Sequence, residues 1–176
     1  MTQVNWGKPT TDGLDKFIQT VGKVASWSTV LVMLCIIGQV VLRYAFASNL
    51  PLLDELEWHF YATGFLLGIS YAVCKDVNIR VDLLHKGLPQ TTKNWLDFAG
   101  IIFLLLPFSI IIFYHSIIFA AHSWTFGERS LDPLGLPYRW LIKSVIPVSF
   151  GLLILAGLTR LMQVLKRIRR GSHGNL

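Results

Sequence analysis

Four separate runs of about 20 mainly apolar residues divide this chain, and that feature restricts its fold more than any other. They span approximately Val24 to Tyr44, Leu56 to Val73, Phe98 to Phe119 and Leu141 to Leu165. A helix needs roughly 20 such residues to cross about 30 Å of hydrocarbon. Backbone amides in lipid must find partners inside their own segment, and these runs lack the polar alternation of barrel strands. The expected fold is therefore an all-α membrane protein, a four-transmembrane-helix bundle occupying residues 1–176 as one domain, with residues 171–176 as a flexible tail. Composition agrees, since only 15% of positions are charged against 53% hydrophobic. The first run follows more than 20 largely polar residues and lacks a small-residue cleavage site, so a retained helix is expected rather than a signal peptide.

Orientation follows from the cations. Lys8, Lys16, Lys23, Lys75, Arg80, Lys86, Lys93, Arg160, Lys166, Arg167, Arg169 and Arg170 fall on one set of flanks. Arg43, Arg129, Arg139 and Lys143 fall on the other, beside Asp54, Glu55, Glu57, Glu128 and Asp132. The richer set is expected to face the cytoplasm, which puts both termini inside. The same distribution makes the formal charge of +6 a sign of topology rather than of nucleic-acid binding. Trp58, Tyr61, Trp95, Trp124, Tyr138 and Trp140 sit near the span ends, where amphipathic rings prefer the headgroup layer. Beyond the fourth run, Leu161, Val164, Leu165 and Ile168 alternate with Lys166, Arg167, Arg169 and Arg170. This end is expected to reach anionic phospholipid headgroups.

Polar groups within or beside the spans are candidates for function because desolvating them is costly. Glu57, Lys143 and Arg43 approach one depth near the outer surface, which predicts either an interhelical ion-pair layer or separate side chains snorkelling into water. Gln39 is expected to act as interhelical glue. Gly64, Gly68 and Ala72 form a small-residue stripe that favours close helix approach, within the chain or onto another protein. His59 and His122 raise the alternative of a haem- or quinone-associated anchor of a respiratory complex, which needs facing histidines on neighbouring helices. A small autonomous exporter is a third reading, disfavoured because no acidic residue lies near the midplane. Pro107 and Pro147 permit kinks. Cys35 and Cys74 have no CxxC or metal-ligand spacing, and no nucleophile constellation or phosphate loop is present. No catalytic, cofactor or metal site is expected.

Two connecting segments carry more information. The central one, AVCKDVNIRVDLLHKGLP, alternates Val77, Ile79, Val81 and Leu83 with polar residues, and is expected to lie at the membrane surface as a short interfacial segment oriented by Arg80 and Asp82. Thr91 or Thr92 is expected to cap the helix that follows. The outer one, GERSLDPLGLPYRWLIKSVIP, is punctuated by Pro133, Gly135 and Pro137 and should hold one shape.

These segments, with RYAF closing the first span and LDELEWHFYATGFLLGISYAV forming the second, resemble the small membrane subunit of tripartite ATP-independent periplasmic (TRAP) transporters. Asp54 and Glu55, Gly64 and Gly68, the IRVDLL stretch and the GERS, GLPYRW, Lys143 and Ile146–Pro147 run carry the likeness. Asn78 and Ala156 depart from it, where many relatives have His and Gln. The resemblance implies a non-catalytic scaffold in the bacterial inner membrane that pairs with a large transport subunit. A periplasmic binding protein would deliver an organic acid for ion-coupled uptake. Asp54, Glu55, Glu57, Gly64, Gly68, Arg80, Asp82, Glu128, Arg139, Trp140 and Lys143 are the residues expected to serve structure or partner docking.

Overall fold

The computed structural model describes residues 12–75, 89–131 and 135–173, all helix or connecting turn. Residues 76–88 of the expected central segment, including Arg80 and Asp82, lie outside the described residues, as does Asp132. Helix α1 is Asp12–Phe46 and α2 is Pro51–Lys75. Helix α3 comprises Gln90–Gly100, a π-helical turn at Ile101–Leu105, and Leu106–Thr125. Helix α4 is Arg139–His173, which takes in residues 171–173 of the expected tail.

Each helix contains its predicted apolar run and overruns it. Hydropathy registers only the lipid-immersed length, whereas helical hydrogen bonding continues into the headgroup layer wherever one face stays packed. In α1 that face is Asp15, Ile18, Gly22, Ala25, Ser28 and Cys35, all buried at spacings of three, four and seven. It extends α1 about three turns before Val24. Among the described residues, three helices are long and apolar enough to cross a membrane: Gly13–Phe46, Thr92–Thr125 and Arg139–Arg169. Helix α2 is not among them: acidic residues occupy its first turns, and Trp58, His59, Tyr61, Thr63, Gly64, Gly68, Ser70 and Tyr71 lower the hydropathy of the rest.

Helix α1 packs antiparallel to α2, placing Gly22 beside Tyr71 and Gly38 beside Leu53. Helix α3 packs antiparallel to α4, with Gly151 beside Phe113 and Gly157 beside Leu105. Helices α2 and α4 run parallel between them, joined where Ser149 Oγ donates to the Leu66 carbonyl at 2.5 Å. The packing order is thus α1, α2, α4, α3. The α1–α3 contact that would close a square bundle is not a packed interface among the described residues.

The core is correspondingly thin: Ile18, Val73, Phe150, Leu152, Leu153 and Ala156. Small hydroxyl residues fill much of the remaining interior, above all Ser109, Ser116 and Ser123, which recur every seven residues along α3 and are all buried. Ser109 and Ser116 donate to carbonyls of their own helix, Leu105 and Phe113. That satisfies the hydroxyls while letting backbones approach closely. Large side chains such as Trp27, Leu34, Phe65, Phe103, Phe108 and Ile111 face outward. This inversion suits a lipid solvent, where burying Leu offers no gain over leaving it in the acyl chains.

One local expectation is corrected. Helix α3 starts without a threonine cap: Pro89 is extended (φ −64°, ψ 151°) and its carbonyl accepts from Lys93 N at 3.2 Å, with no side-chain cap. Near Pro107, the π-helical turn lies just upstream, with Leu106 N–H bonded to the Ile101 carbonyl. A proline removes one amide donor and its ring presses on the preceding turn, which a widened turn accommodates. Pro147 lies within α4, which continues past it.

Candidate functional site

Apart from the small hydroxyl residues of the interior, the polar side chains that join different elements cluster toward the two ends of the helices. At the end expected from the sequence to face outward, the site begins with how α3 stops. Gly127 adopts a left-handed conformation (φ +57°), Gly127 N donates to the Trp124 carbonyl at 3.2 Å, and Glu128 N donates to the Ser123 carbonyl at 3.1 Å. This paired closure turns the chain back over the helix end. The Glu128 carboxylate then accepts from Ser123 Oγ at 2.7 Å and from the Lys143 ammonium of α4. Lys143 also lies over the Phe119 ring, 4.0 Å from its centre, and Trp124 meets Trp140 edge-on at 4.5 Å. Arg139 N donates to the Glu128 carbonyl at 3.4 Å. One carboxylate, one ammonium and three rings therefore tie α3 to α4.

Glu55 fastens the same loop to α2. Its carboxylate accepts from Ser130 Oγ and, at 2.6 Å, from the backbone N–H of Leu136. Ser130 N donates to the Leu136 carbonyl at 3.2 Å, narrowing the loop into a neck. Gly135 makes this approach possible: a Cβ there would meet Ser130 Oγ and lie 2.8 Å from Glu55 Oε1. His59 Nδ1 is 2.6 Å from the Glu55 carbonyl oxygen, one turn below. Leu131, at the tip of the loop, is 94% exposed.

Lys143 therefore pairs with Glu128, and the expected Glu57–Lys143–Arg43 layer does not form. Glu128 wins because the turn at Gly127 delivers it to the ammonium, whereas Glu57 is on a different helix and has no ion pair among the described residues. Gln39 is also corrected: its amide donates to Asn49 in the α1–α2 turn rather than bridging spans. His59 is engaged by its own helix, and His122 is exposed and stacks on Phe126. Of the small-residue stripe, Gly64 lies against Ser28 and the Ala25 carbonyl of α1, while Gly68 has open space where a Cβ would stand. Asp54 is half-buried in the first turn of α2.

The opposite end holds a second cluster absent from the sequence-based expectations. Asp15, buried in α1, accepts from Gln163 Nε2 of α4 at 3.3 Å and from the Cys74 thiol of α2 at 3.6 Å. Arg160 Nη1 donates to Gln163 Oε1 at 3.4 Å. Three helices are thereby tied together at one level. The available signal was helical spacing: Asp15 stands three residues before Ile18 and seven before Gly22, on the buried stripe.

Both carboxyls that anchor the α3–α4 loop are held below the ordinary value of 4.5: Glu55 chiefly by the Ser130 hydroxyl and then the Leu136 amide, Glu128 chiefly by hydrogen bonding from Lys143 and then Ser123. A lowered folded pKa means that the carboxylate form is the one the fold favours. Its stabilisation is complete above about pH 4.5 and is lost as pH falls through the lowered values. After correction for intrinsic rates, hydrogen-exchange protection of the Leu136 amide should stay level from pH 7 to about 4.5 and decline only in stronger acid. A decline centred near pH 6 would contradict this assignment.

The arrangement defines a helical membrane protein in which polar clusters at both ends tie its helices together. The chain matches the family described as tripartite ATP-independent periplasmic transporters, DctQ component, over residues 32–167, and it belongs to that family. Such components work with a large membrane subunit and a periplasmic binding protein. No match was found among curated proteins or among solved structures.

Proposed function

We propose that this chain is the small, non-catalytic permease subunit of a secondary transporter and that it braces the large subunit during ion-coupled uptake of an organic acid. The observation that carries the reading is the division of labour between side chains. Polar groups at both ends fasten helices of the same chain to one another, while large apolar side chains face outward. A brace needs this internal stiffness and an apolar exterior on which a partner can pack.

In this reading α2 is the fourth crossing, both termini are cytoplasmic, and the protein resides in the bacterial inner membrane. Twenty-five residues of helix reach about 37 Å, enough for the hydrocarbon even with a polar first turn. The parallel course of α2 and α4 agrees with this topology, since two parallel helices separated by one antiparallel helix must enter from the same side. The outer loop, Asp54 and the apolar helix faces are the surfaces offered to the large subunit and the binding protein.

The deciding experiment is to express the large subunit with and without this chain. Without it, recovery of folded large subunit and uptake of the binding protein's ligand should both fall to near background. Full uptake by the large subunit alone would exclude an essential bracing role.

A further inference from the structure

Helix α3 carries a polar side chain on a surface that acyl chains alone would serve poorly. It packs on α4 through the stripe that holds the buried Ser109, Ser116 and Ser123. On another side of the helix Phe108, Ile111, His115, Ile118 and His122 recur at spacings of three and four, and all are exposed. His115 is one residue before Ser116 and therefore about 100° around the helix from the packed stripe.

The depth of this histidine is fixed by a neighbour. Lys143, paired with Glu128, lies over the Phe119 ring, 4.0 Å from its centre, which marks the level of the ion pair on α3. His115 is four residues before Phe119, about 6 Å further into the apolar run. Side chains on a helix lean toward its N-terminus, so the imidazole is directed away from the near end of α3 and deeper into that run. It stands edge-on to Tyr114, with 5.4 Å between ring centres, and has no hydrogen-bond partner among the described residues. An imidazole always carries at least one N–H donor, and acyl chains offer no acceptor. Ionisable side chains at such depth ordinarily face protein or a water-filled cavity.

We propose that this stripe of α3 receives a membrane helix of the large subunit, with a hydrogen-bond acceptor of that helix opposite His115 and small residues opposite Ile111 and Ile118. Close association of membrane helices uses small residues, and the serines of α3 are already spent on α4. A second copy of this chain would set the bulk of Phe108, Ile111 and Ile118 against itself, whereas a different helix can bring both the small residues and the acceptor. The inference rests on the reading of the chain as a brace and names the face through which it braces.

The test coexpresses the tagged full chain with the large subunit and measures their association in detergent. His115→Leu should weaken it about three- to tenfold, the effect of losing one interhelical hydrogen bond, and His115→Gln, which keeps a donor, should retain most of the affinity. The isolated His115→Leu chain should melt no lower than the parent, since the histidine serves a partner and not the chain's own fold. Independently of these variants, a benzoylphenylalanine in place of Ile118 should cross-link to the large subunit on illumination. If the parent itself recovers no large subunit, the bracing reading falls and this inference with it. If the parent does recover it, this inference alone is overturned by equal association of His115→Leu, by a lower melting temperature of that variant, or by cross-links from position 118 only to a second copy or to lipid.

Discussion

Gly22→Leu is expected to separate α1 from α2 along the inner half of their contact. A Cβ at position 22 would stand 2.5 Å from the Tyr71 Cβ and 2.7 Å from its Cγ. The Tyr71 Cβ is fixed to the backbone, so no rotation of the ring removes the clash and the helices themselves must move. Forcing atoms into a packed contact costs typically 1–3 kcal/mol, and the immobility of the obstacle places this case near 3 kcal/mol. Moving α1 would also pull Asp15 away from Cys74 and Gln163, two turns before Gly22. The expected readouts are a clearly lower unfolding temperature in detergent and loss of protection at the inner ends of α1 and α4. Gly68→Leu makes the matched comparison, because open space surrounds that position. If both variants melt alike, the close approach at Gly22 is not a principal support of the fold.

The second large effect is expected from Glu55→Ala. This carboxylate is the acceptor for both Ser130 Oγ and Leu136 N–H, and alanine leaves both donors facing a gap. Losing a charged acceptor while its donors stay in place costs about 1–3 kcal/mol. That energy holds the loop and not the whole fold, so the change should be local: about tenfold or more faster exchange at Leu136, with the unfolding temperature hardly altered. Glu55→Gln separates charge from geometry, since the amide can still accept one of the two hydrogen bonds and should restore part of the protection. Glu57→Ala, one residue past Leu56 on the same helix, should leave exchange in the loop unchanged. Equal loosening by Glu57→Ala would return the outer layer to the arrangement expected from the sequence.

These two positions also show what helical spacing can and cannot reveal. Gly64 and Gly68 stand four residues apart, and spacing alone makes them equivalent. In the structure one meets Ser28 and the other meets nothing, because a straight contact between two helices drifts around their surfaces. Gly22 lies on the buried stripe of α1, yet its importance depends on Tyr71, 49 positions away in the chain. Glu55, Glu128 and Lys143 were legible as candidates from their charge near span ends. Their partners were not: Glu128 reaches Lys143 only because Gly127 reverses the backbone at the end of α3.

The sequence by itself determined the solvent, the helical class and the family likeness. These depend on quantities that accumulate along the chain, such as apolar run length and the residues of two connecting segments, and partner helices do not alter them. Tertiary structure alone decided the packing order α1, α2, α4, α3, the choice of Glu128 over Glu57 as partner of Lys143, and the junction of Asp15, Cys74 and Gln163. The physical reason is range. Hydrophobic transfer is a property of each segment, whereas a hydrogen bond or a close backbone contact requires two groups within a few ångströms, and which distant residues meet depends on how the helices are turned toward one another.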